Sequence, residues 1–211
     1  MVAHKAVSKA EGRLRALAEV APSERARSLA AEQGKDPRLV QAILDESVRL
    51  VRAGHGVLVC ETRHGLVCAN AGVDQSNADH PGELVLLPDD PDRSARELRA
   101  GLARATGARP AVVVSDSFGR PWRRGQTDVA LGCAGLVALE DWRGRPDARG
   151  RALHATQIAV ADAVAGAADL ARAKDSGEPA VLVRGLGRYV TAEDGAGAAA
   201  LRRPPQDDLF R

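Results

Sequence analysis

Residues 112–126 read VVVSDSFGRPWRRGQ. The stretch opens with an apolar, β-branched run that is typical of a buried strand, and an aspartate follows at position 116. Glycines, a proline and three arginines come directly after it. The pattern predicts a strand over 111–115 that carries Asp116 at its carboxyl end, and a shaped loop over 119–125.

The three arginines of this segment, Arg120, Arg123 and Arg124, admit two interpretations. Charged side chains are usually part of a solvated face. The surrounding glycines and proline favour instead a fixed loop, in which a planar guanidinium can donate paired hydrogen bonds to a phosphate or a carboxylate. We therefore predict anion binding by at least one of the three.

A second polar motif lies upstream, where residues 66–77 read LVCANAGVDQSN. Asp74 and Asn77 follow a short apolar run, as Asp116 and Ser117 do in the first motif. Each aspartate alone could simply cap a turn. Together, two acidic strand ends followed by polar side chains predict one shared metal site. Hard oxygen ligands of this kind suit Mg²⁺ or Mn²⁺ rather than Zn²⁺.

Composition narrows the classes of protein that fit the sequence. The 211 residues are 45% hydrophobic but only 2% aromatic, so the core must consist mainly of alanine, valine and leucine. A net charge of +2 with interspersed signs argues against a nucleic-acid partner. The three cysteines lack CxxC spacing, which indicates reduced thiols. No apolar run approaches the roughly 20 residues that span a bilayer, so we predict a cytoplasmic protein without a membrane partner.

The first half of the chain carries clear local signals. Pro22–Gln33 is predicted to be helical with Ser23 as its N-cap, and Asp36 followed by proline opens a second helix. The apolar stripe of this second helix extends through Val51, so the predicted helix ends at Gly54. Two short apolar runs, 57–60 and 66–69, predict a β-hairpin that can bring Cys60 opposite Cys68.

The second half mixes helix and strand signals without strict alternation. Strands are predicted over 83–87, 131–139 and 180–183, with close backbone approaches at Gly132 and Gly135. Helices are predicted over 94–106 and 154–174. These elements indicate an α+β fold in which helices flank a mixed sheet, organised as a single domain over residues 1–211.

Five stretches of the chain together resemble one known family. They are SKAEGR at 8–13, ETRHGLVCANAGVDQSN at 61–77, SDSFGRPWRRGQ at 115–126, GRPD at 144–147 and AVLVRG at 180–185. In these stretches the sequence is similar to coenzyme F-420:L-glutamate ligase, the γ-glutamyl ligase of deazaflavin cofactor biosynthesis. The resemblance implies a GTP-dependent ligase that adds L-glutamate to coenzyme F-420-0 through an acyl phosphate and then extends a γ-linked glutamate tail.

The resemblance also implies roles for individual residues. Asp74 and Asp116 resemble ligands of a first divalent ion and Ser117 a ligand of a second, whereas Lys9 and Asn77 resemble contacts to GTP. The ions would be Mg²⁺ or Mn²⁺, with K⁺ as a further candidate. Our assignment of Arg123 and Gln126 to substrate or phosphate rests on their chemistry alone. Many relatives carry Gln or Glu where this chain has Lys174, which implies that the second ion would be held differently here.

Other implications concern the assembly and the extent of the chain. The family forms an intertwined homodimer, so we expect a dimer. Relatives usually carry a further N-terminal segment, and some carry a C-terminal nitroreductase-like domain that binds flavin; we expect neither here, and no flavin. The short N-terminus leaves open a misassigned start site, a fragment of a longer protein, or a non-catalytic paralogue that binds F-420 or GTP and dimerises. A general ATP-dependent peptide ligase fits less well because the sequence has no ATP-grasp glycine loop.

Overall fold

The computed structural model describes residues 1–209. Its α-helices are α1 (His4–Ala10), α2 (Glu24–Gln33), α3 (Pro37–Asp45), α4 (Pro91–Thr106) and α5 (Val160–Asp169). Its strands are β1 (Val2–Ala3), β2 (Leu14–Ala16), β3 (Ser47–Gly54), β4 (Val57–Thr62), β5 (Val67–Ala69), β6 (Glu83–Val85), β7 (Val112–Arg120), β8 (Arg123–Ala134), β9 (Leu139–Asp141) and β10 (Gln157–Ala159). The last two residues of the predicted 1–211 domain lie outside the described residues.

The strands of this part of the chain form four small sheets. The sheet β1–β7–β8 is mixed, because β1 runs parallel to β7 whereas only two residues connect β7 to β8, as in an antiparallel hairpin. The pairs β2–β6 and β9–β10 and the sheet β3–β4–β5 are antiparallel. The predicted α+β class is confirmed, and the strands are divided among several sheets rather than gathered in one.

The chain divides into two compact units. The first unit comprises Met1–Ala3, Pro91–Ser117 and the chain from Thr127 onward, and the second comprises His4–Asp90 and Phe118–Gln126. That both units form one ligase-like domain stays a prediction. No helix within residues 1–209 is both long enough and apolar enough to cross a membrane.

Small aliphatic side chains form the core of the first unit, as the low aromatic content predicts. Helix α5 contributes an apolar face, because its valines and alanines recur at helical spacing. The buried members of this core are Val113, Ala130, Cys133, Leu136, Ala138, Val160, Ala161, Val164, Ala165 and Ala198. Such short side chains let backbones approach closely. The closest approaches in this unit occur at two glycines, Gly132 in β8 and Gly135 just after it.

Gly132 lies where β8 passes the start of α4. A Cβ atom built on Gly132 would lie 2.1 Å from the carbonyl carbon of Pro91 and 2.5 Å from the amide nitrogen of Asp92. Gly135 is equally crowded, with its Cβ position 2.4 Å from the guanidinium carbon of Arg99. The predicted close approaches at both glycines are confirmed.

Gly132→Ala is expected to destabilise the protein by about 3 kcal/mol or more, since the added methyl group would overlap backbone atoms that cannot rotate away. Gly101→Ala is the matched control. Gly101 lies inside α4, and the nearest atom to its Cβ position is a side-chain nitrogen 3.9 Å away. That substitution should stabilise by roughly 0.5–1 kcal/mol. Urea unfolding of both variants measures the difference, and an equal stability for the two would contradict it.

Local capping sets the helix starts of the second unit. The Ser23 hydroxyl accepts a hydrogen bond from the Ala26 amide at 3.2 Å, which begins α2. The Asp36 carboxylate accepts from the Arg38 amide at 2.8 Å, and a proline at the first helical position completes the start of α3. Both predicted N-caps are confirmed.

The helices α2 and α3 and the sheet β3–β4–β5 share one core. Its buried members are Leu17, Val20, Ala26, Ala30, Val40, Ala42, Ile43, Leu58, Cys60, Ala71, Val73, Leu84 and Leu86. The predicted hairpin is confirmed, because β4 and β5 pair antiparallel with Cys60 opposite Cys68. Both cysteines are buried and unoxidised. Burial raises the pKa of the Cys60 thiol, so it behaves as a small core side chain.

Residues 47–54 correct one prediction from the sequence. The apolar stripe predicted a helix to Gly54, but α3 ends at Asp45 and the next residues form β3. β3 pairs with β4 over its length, so tertiary pairing overrides the helical periodicity. Val48, a member of the predicted stripe, is 70% exposed.

The segment around Arg120 corrects a second prediction. The strand β7 continues past Asp116 to Arg120 and β8 begins at Arg123, so the predicted loop is a hairpin and Asp116 lies inside a strand. Trp122 and Gly125 have φ values of 57° and 85°. A tight turn that begins with proline favours a left-handed backbone at its second position, which Trp122 occupies, whereas Gly125 lies inside β8.

Other predictions also extended regular structure too far. The predicted strand over 131–139 is interrupted, because β8 ends at Ala134 and β9 begins at Leu139. The predicted helix over 154–174 is shorter, because residues 157–159 pair with β9 and α5 covers only 160–169. Alanine content favours helix only weakly, and the tertiary pairing of these residues with β9 overrides it. The predicted strand over 180–183 is a single bridge from Ala180 to Val2, with the Val181 amide bonded to the Met1 carbonyl.

Candidate functional site

The loop after Asp74 is the polar centre of the second unit. The Asp74 backbone bridges to Val85, with N–H to O distances of 3.1 and 2.8 Å in the two directions. Its carboxylate accepts hydrogen bonds from the Ser76 amide and the Ser76 hydroxyl, each at 2.8 Å. Asn77 follows with a positive φ of 55° and an exposed side chain. Hydrogen bonds therefore fix the loop at Asp74, whereas the side chain of Asn77 is accessible to solvent.

Two lysines of α1 reach this loop. Lys5 and Lys9 are four residues apart, so they lie on one face of the helix. Lys5 Nζ lies 2.6 Å from Asp74 Oδ2 and 2.6 Å from Ser76 Oγ, and Lys9 Nζ lies 2.5 Å from Asp79 Oδ1. The structure thus brings the predicted Lys9 to the predicted Asp74 loop. The sequence analysis did not identify Lys5, although its spacing from Lys9 was a usable signal.

The ionisation of Asp74 reflects two opposing effects. Partial burial raises the pKa of its carboxyl group, but hydrogen bonds from Lys5 and Ser76 and the charge of Lys5 outweigh burial, so the pKa lies below its ordinary value of 3.8. The carboxylate is therefore ionised throughout the neutral range, as an oxygen ligand for a cation must be.

Lys5→Met is expected to raise the pKa of Asp74, because the ammonium is the largest contribution that lowers it. A lowered folded-state pKa gives stability that is present above pH 3.8 and is lost as the pH falls through the folded pKa. The variant should therefore lose less stability on acidification through that window. NMR titration of the Asp74 carboxyl carbon measures the pKa. Lys9→Met is the control, and an equal pKa in wild type and Lys5→Met would contradict the assignment.

Asp116 and Ser117 are neighbours in β7 of the first unit. Side chains alternate along a strand, so Ser115 and Ser117 lie on one face and Asp116 on the other. The carboxylate of Asp116 is half-buried. Asp74 belongs to the second unit and Asp116 to the first, and their pairing in a single cation site stays a prediction.

Ser115 and Ser117 share a buried carboxylate that the sequence analysis missed. Asp128, in β8, is 1% exposed. It accepts from Ser117 Oγ at 2.6 Å, from Ser115 Oγ at 2.7 Å and from an Arg172 guanidinium nitrogen at 2.8 Å. Lys174 Nζ adds a hydrogen bond of 2.8 Å to Ser117 Oγ. We call these five residues the Asp128 cluster.

The hairpin between β7 and β8 presents the remaining predicted residues. The side chains of Arg120, Arg123, Arg124 and Gln126 are all exposed. An Arg120 guanidinium nitrogen donates to the Arg124 carbonyl at 3.1 Å, which holds one arginine across the turn. The predicted roles of Arg123 and Gln126 in binding substrate or phosphate stay predictions.

The donor chemistry of these residues fits a hard divalent cation. Asp74 and Asp116 supply carboxylate oxygens and Ser117 supplies a hydroxyl oxygen, the ligand types that Mg²⁺ and Mn²⁺ prefer. Within residues 1–209, no three His, Cys, Asp or Glu side chains are grouped closely enough to hold a metal by themselves. A cation bound by any of these carboxylates would therefore need further oxygens, from a hydroxyl, from water or from a bound ligand.

The fold and these clusters describe an α+β protein in which lysine, arginine, carboxylate and hydroxyl groups meet in two charge-balanced clusters. A model of the F420-0:Gamma-glutamyl ligase family matches residues 1–185. The chain belongs to that family, and the resemblance that the sequence motifs indicated is confirmed.

Three relatives show how far the similarity extends. "Coenzyme F420:L-glutamate ligase" of Methanothermobacter thermautotrophicus is 48% identical over 212 residues, which cover 100% of this chain and 83% of that protein. The protein of the same name from Methanopyrus kandleri is 47% identical, covering 100% of this chain and 84% of the relative. The one from Haloarcula marismortui is 44% identical, covering 100% and 82%.

Proposed function

We propose that this protein is a GTP-dependent ligase that joins L-glutamate to coenzyme F-420-0 and then extends a γ-linked glutamate tail. The observation that carries the proposal is the 48% identity, over the whole chain, to a protein named as a coenzyme F420:L-glutamate ligase. The Lys5–Asp74 pair and the Asp128 cluster add physical support, because both combine cationic donors with oxygen ligands suited to phosphate chemistry.

The proposed reaction has two balanced steps. A carboxylate oxygen of F-420-0 forms a bond to the γ-phosphorus of GTP as the bond to the β,γ-bridging oxygen breaks, which gives an acyl phosphate and GDP. The uncharged amine of L-glutamate then attacks the acyl carbon, the carbon–oxygen bond to phosphate breaks, and phosphate and one proton leave. Each step moves negative charge onto phosphate oxygens, so cationic donors should lower both barriers.

The chain's own residues would hold and orient the reactants. Asp74 and Asp116 would hold one Mg²⁺ or Mn²⁺ ion and Ser117 a second, and such ions, when bound, neutralise phosphate oxygens. The ammonium of Lys9 is suited to a GTP phosphate and the side-chain amide of Asn77 to a hydroxyl or phosphate oxygen. The exposed guanidinium of Arg123 could pair with a substrate carboxylate.

The expected homodimer and a role for K⁺ belong to this proposal as well. Analytical ultracentrifugation at micromolar concentration tests the first, and assays with K⁺ exchanged for Na⁺ test the second. Neither is needed for the chemistry written above.

Oxygen-18 labelling tests the acyl phosphate directly. F-420-0 labelled in its free carboxylate is incubated with the protein, GTP, L-glutamate and Mn²⁺, and the released phosphate is analysed by mass spectrometry. The proposal predicts one label transferred to phosphate for the first glutamate added, whereas later additions release unlabelled phosphate because the carboxylate activated then comes from unlabelled L-glutamate. Unlabelled phosphate in the first turnover would indicate GTP hydrolysis uncoupled from ligation. Binding of GTP or F-420 without any turnover would favour the non-catalytic paralogue, and faster turnover with ATP would contradict the choice of nucleotide.

A further inference from the structure

The contacts of the Asp128 cluster fix the direction of the hydrogen bond between Ser117 and Asp128. The ammonium of Lys174 can only donate, so the Ser117 oxygen accepts from it at 2.8 Å. A serine hydroxyl has a single hydrogen, and Asp128 Oδ1 is the acceptor 2.6 Å from it. The hydrogen of Ser117 is therefore committed to Asp128, one lone pair of its oxygen accepts from Lys174, and one lone pair remains for a further partner.

Asp128 is itself held in place from the opposite side. Arg172, whose side chain is 10% exposed, donates to Asp128 Oδ2 at 2.8 Å, and Ser115 donates to the same oxygen at 2.7 Å. With both oxygens engaged and the side chain fully buried, the carboxylate has little freedom to rotate. Burial also prevents Asp128 from reaching an exposed ligand, so any effect it has on binding must act through Ser117.

We propose that Asp128, held by Arg172, is a positioning residue that sets Ser117 as an oriented oxygen ligand for a divalent cation. The proposal rests on the proposed function in one respect, namely that Ser117 contacts a cation. Partners that orient metal ligands in this way usually change metal affinity by about 10–100-fold when they are removed. A hydroxyl freed from Asp128 could turn its hydrogen toward the cation and would then be a poorer ligand.

A double-mutant cycle on Mn²⁺ affinity tests the proposal without any assay of activity. Isothermal titration with Mn²⁺ alone is performed on wild type, Ser117→Ala, Asp128→Asn and the double variant. We expect each single variant to bind Mn²⁺ about tenfold more weakly, and the double variant to bind no more weakly than Ser117→Ala. A simple loss of negative charge near the cation would instead weaken binding by the same factor in both backgrounds.

Ser115→Ala provides the matched control. Ser115 donates to Asp128 as Ser117 does, but to the other oxygen, and its side chain is buried. Because Arg172 still holds Asp128 Oδ2 and Ser117 still donates to Oδ1, Mn²⁺ affinity should fall by about twofold or less in this variant. A tenfold loss there would show that any disturbance of the Asp128 cluster weakens binding, which would overturn a specific role for the Ser117 hydrogen bond.

A second variant keeps the test valid if Asp128→Asn fails to fold, since that change leaves the buried Arg172 with only its longer ion pair to Asp169 at 3.5 Å. Arg172→Lys preserves the charge but loses the planar contact. It should weaken Mn²⁺ binding in the wild-type background and have no effect in the Ser117→Ala background.

The outcomes separate this proposal from the proposed function. If Ser117→Ala leaves Mn²⁺ affinity unchanged, or wild type binds no Mn²⁺, the cation contact of Ser117 is wrong and the positioning role is overturned with it. If Ser117→Ala weakens binding but Asp128→Asn and Arg172→Lys do not, or if their effects persist in the Ser117→Ala background, the positioning role alone is overturned.

Discussion

Arg99→Ala is expected to lower the free energy of unfolding by about 4 kcal/mol, a large share of the stability of a domain. Arg99 lies in α4 and is 1% exposed. Its guanidinium donates to the backbone carbonyls of Pro110, Thr191 and Ala192 and to the carboxylate of Asp194 at 2.6 Å. Truncation would remove these four bonds at once, leave carbonyl oxygens without partners and open a cavity.

The loss should be concentrated in the segment that Arg99 holds. Residues 191–194 have no helix or strand of their own, so they are held by this side chain and by the backbone of Gly135, which exchanges hydrogen bonds of 2.9 Å with Thr191 and Asp194. Hydrogen exchange at 191–199 should therefore accelerate more than in α5. This readout locates the effect, whereas urea unfolding measures its size.

Arg93→Ala is the matched control for Arg99→Ala. Arg93 belongs to the same helix but is exposed, and its ion pair with Glu97 spans 3.7 Å. Such pairs contribute little, so its removal should change stability by roughly 0.5 kcal/mol or less. Similar losses for the two variants would contradict the structural role assigned to Arg99.

Asp116→Asn is expected to reduce glutamate-dependent turnover of GTP by roughly 100-fold or more, which corresponds to about 3 kcal/mol of transition-state stabilisation. The amide keeps the size of the carboxylate but lacks its charge, so a divalent cation would be bound weakly. Asp74→Asn should behave in the same way if both carboxylates serve the same ions. Turnover is followed by release of phosphate with F-420-0 and L-glutamate present.

Asp207→Asn controls for the loss of one negative charge, since Asp207 is exposed and lies in a short 3₁₀ turn near the end of the described chain. It should turn over GTP at the wild-type rate. Circular dichroism must show both variants folded. Undiminished turnover by folded Asp116→Asn would refute its assignment as a ligand.

Local signals in the sequence predicted those parts of the fold that depend on neighbours in the chain. The N-caps at Ser23 and Asp36 were predicted because each bonds to an amide two or three residues away. The hairpin that pairs Cys60 with Cys68 was predicted because its two strands are nearly consecutive. β3 was predicted as a helix because its periodicity is helical, and only its pairing with β4 decides otherwise.

The residues of the candidate site also fall into those that local motifs predict and those that only long-range contacts reveal. Asp74, Asp116 and Ser117 stand in motifs that can be recognised one at a time. The other residues can be recognised only from contacts between distant parts of the chain. Lys5 contacts Asp74 across 69 residues, and Arg172 contacts Asp128 across 44 residues. Pattern reasoning along the chain offers no means of pairing such distant residues, and a lone buried aspartate gives no signal of its own.

The most direct test of the central claim is the mass of the product. F-420-0 is incubated with the purified protein, GTP, L-glutamate and Mn²⁺, and the cofactor is analysed by mass spectrometry. The account predicts species heavier than F-420-0 by one or more glutamyl units, formed only when GTP and glutamate are both present. Unchanged F-420-0 after incubation with folded protein that binds GTP would contradict it.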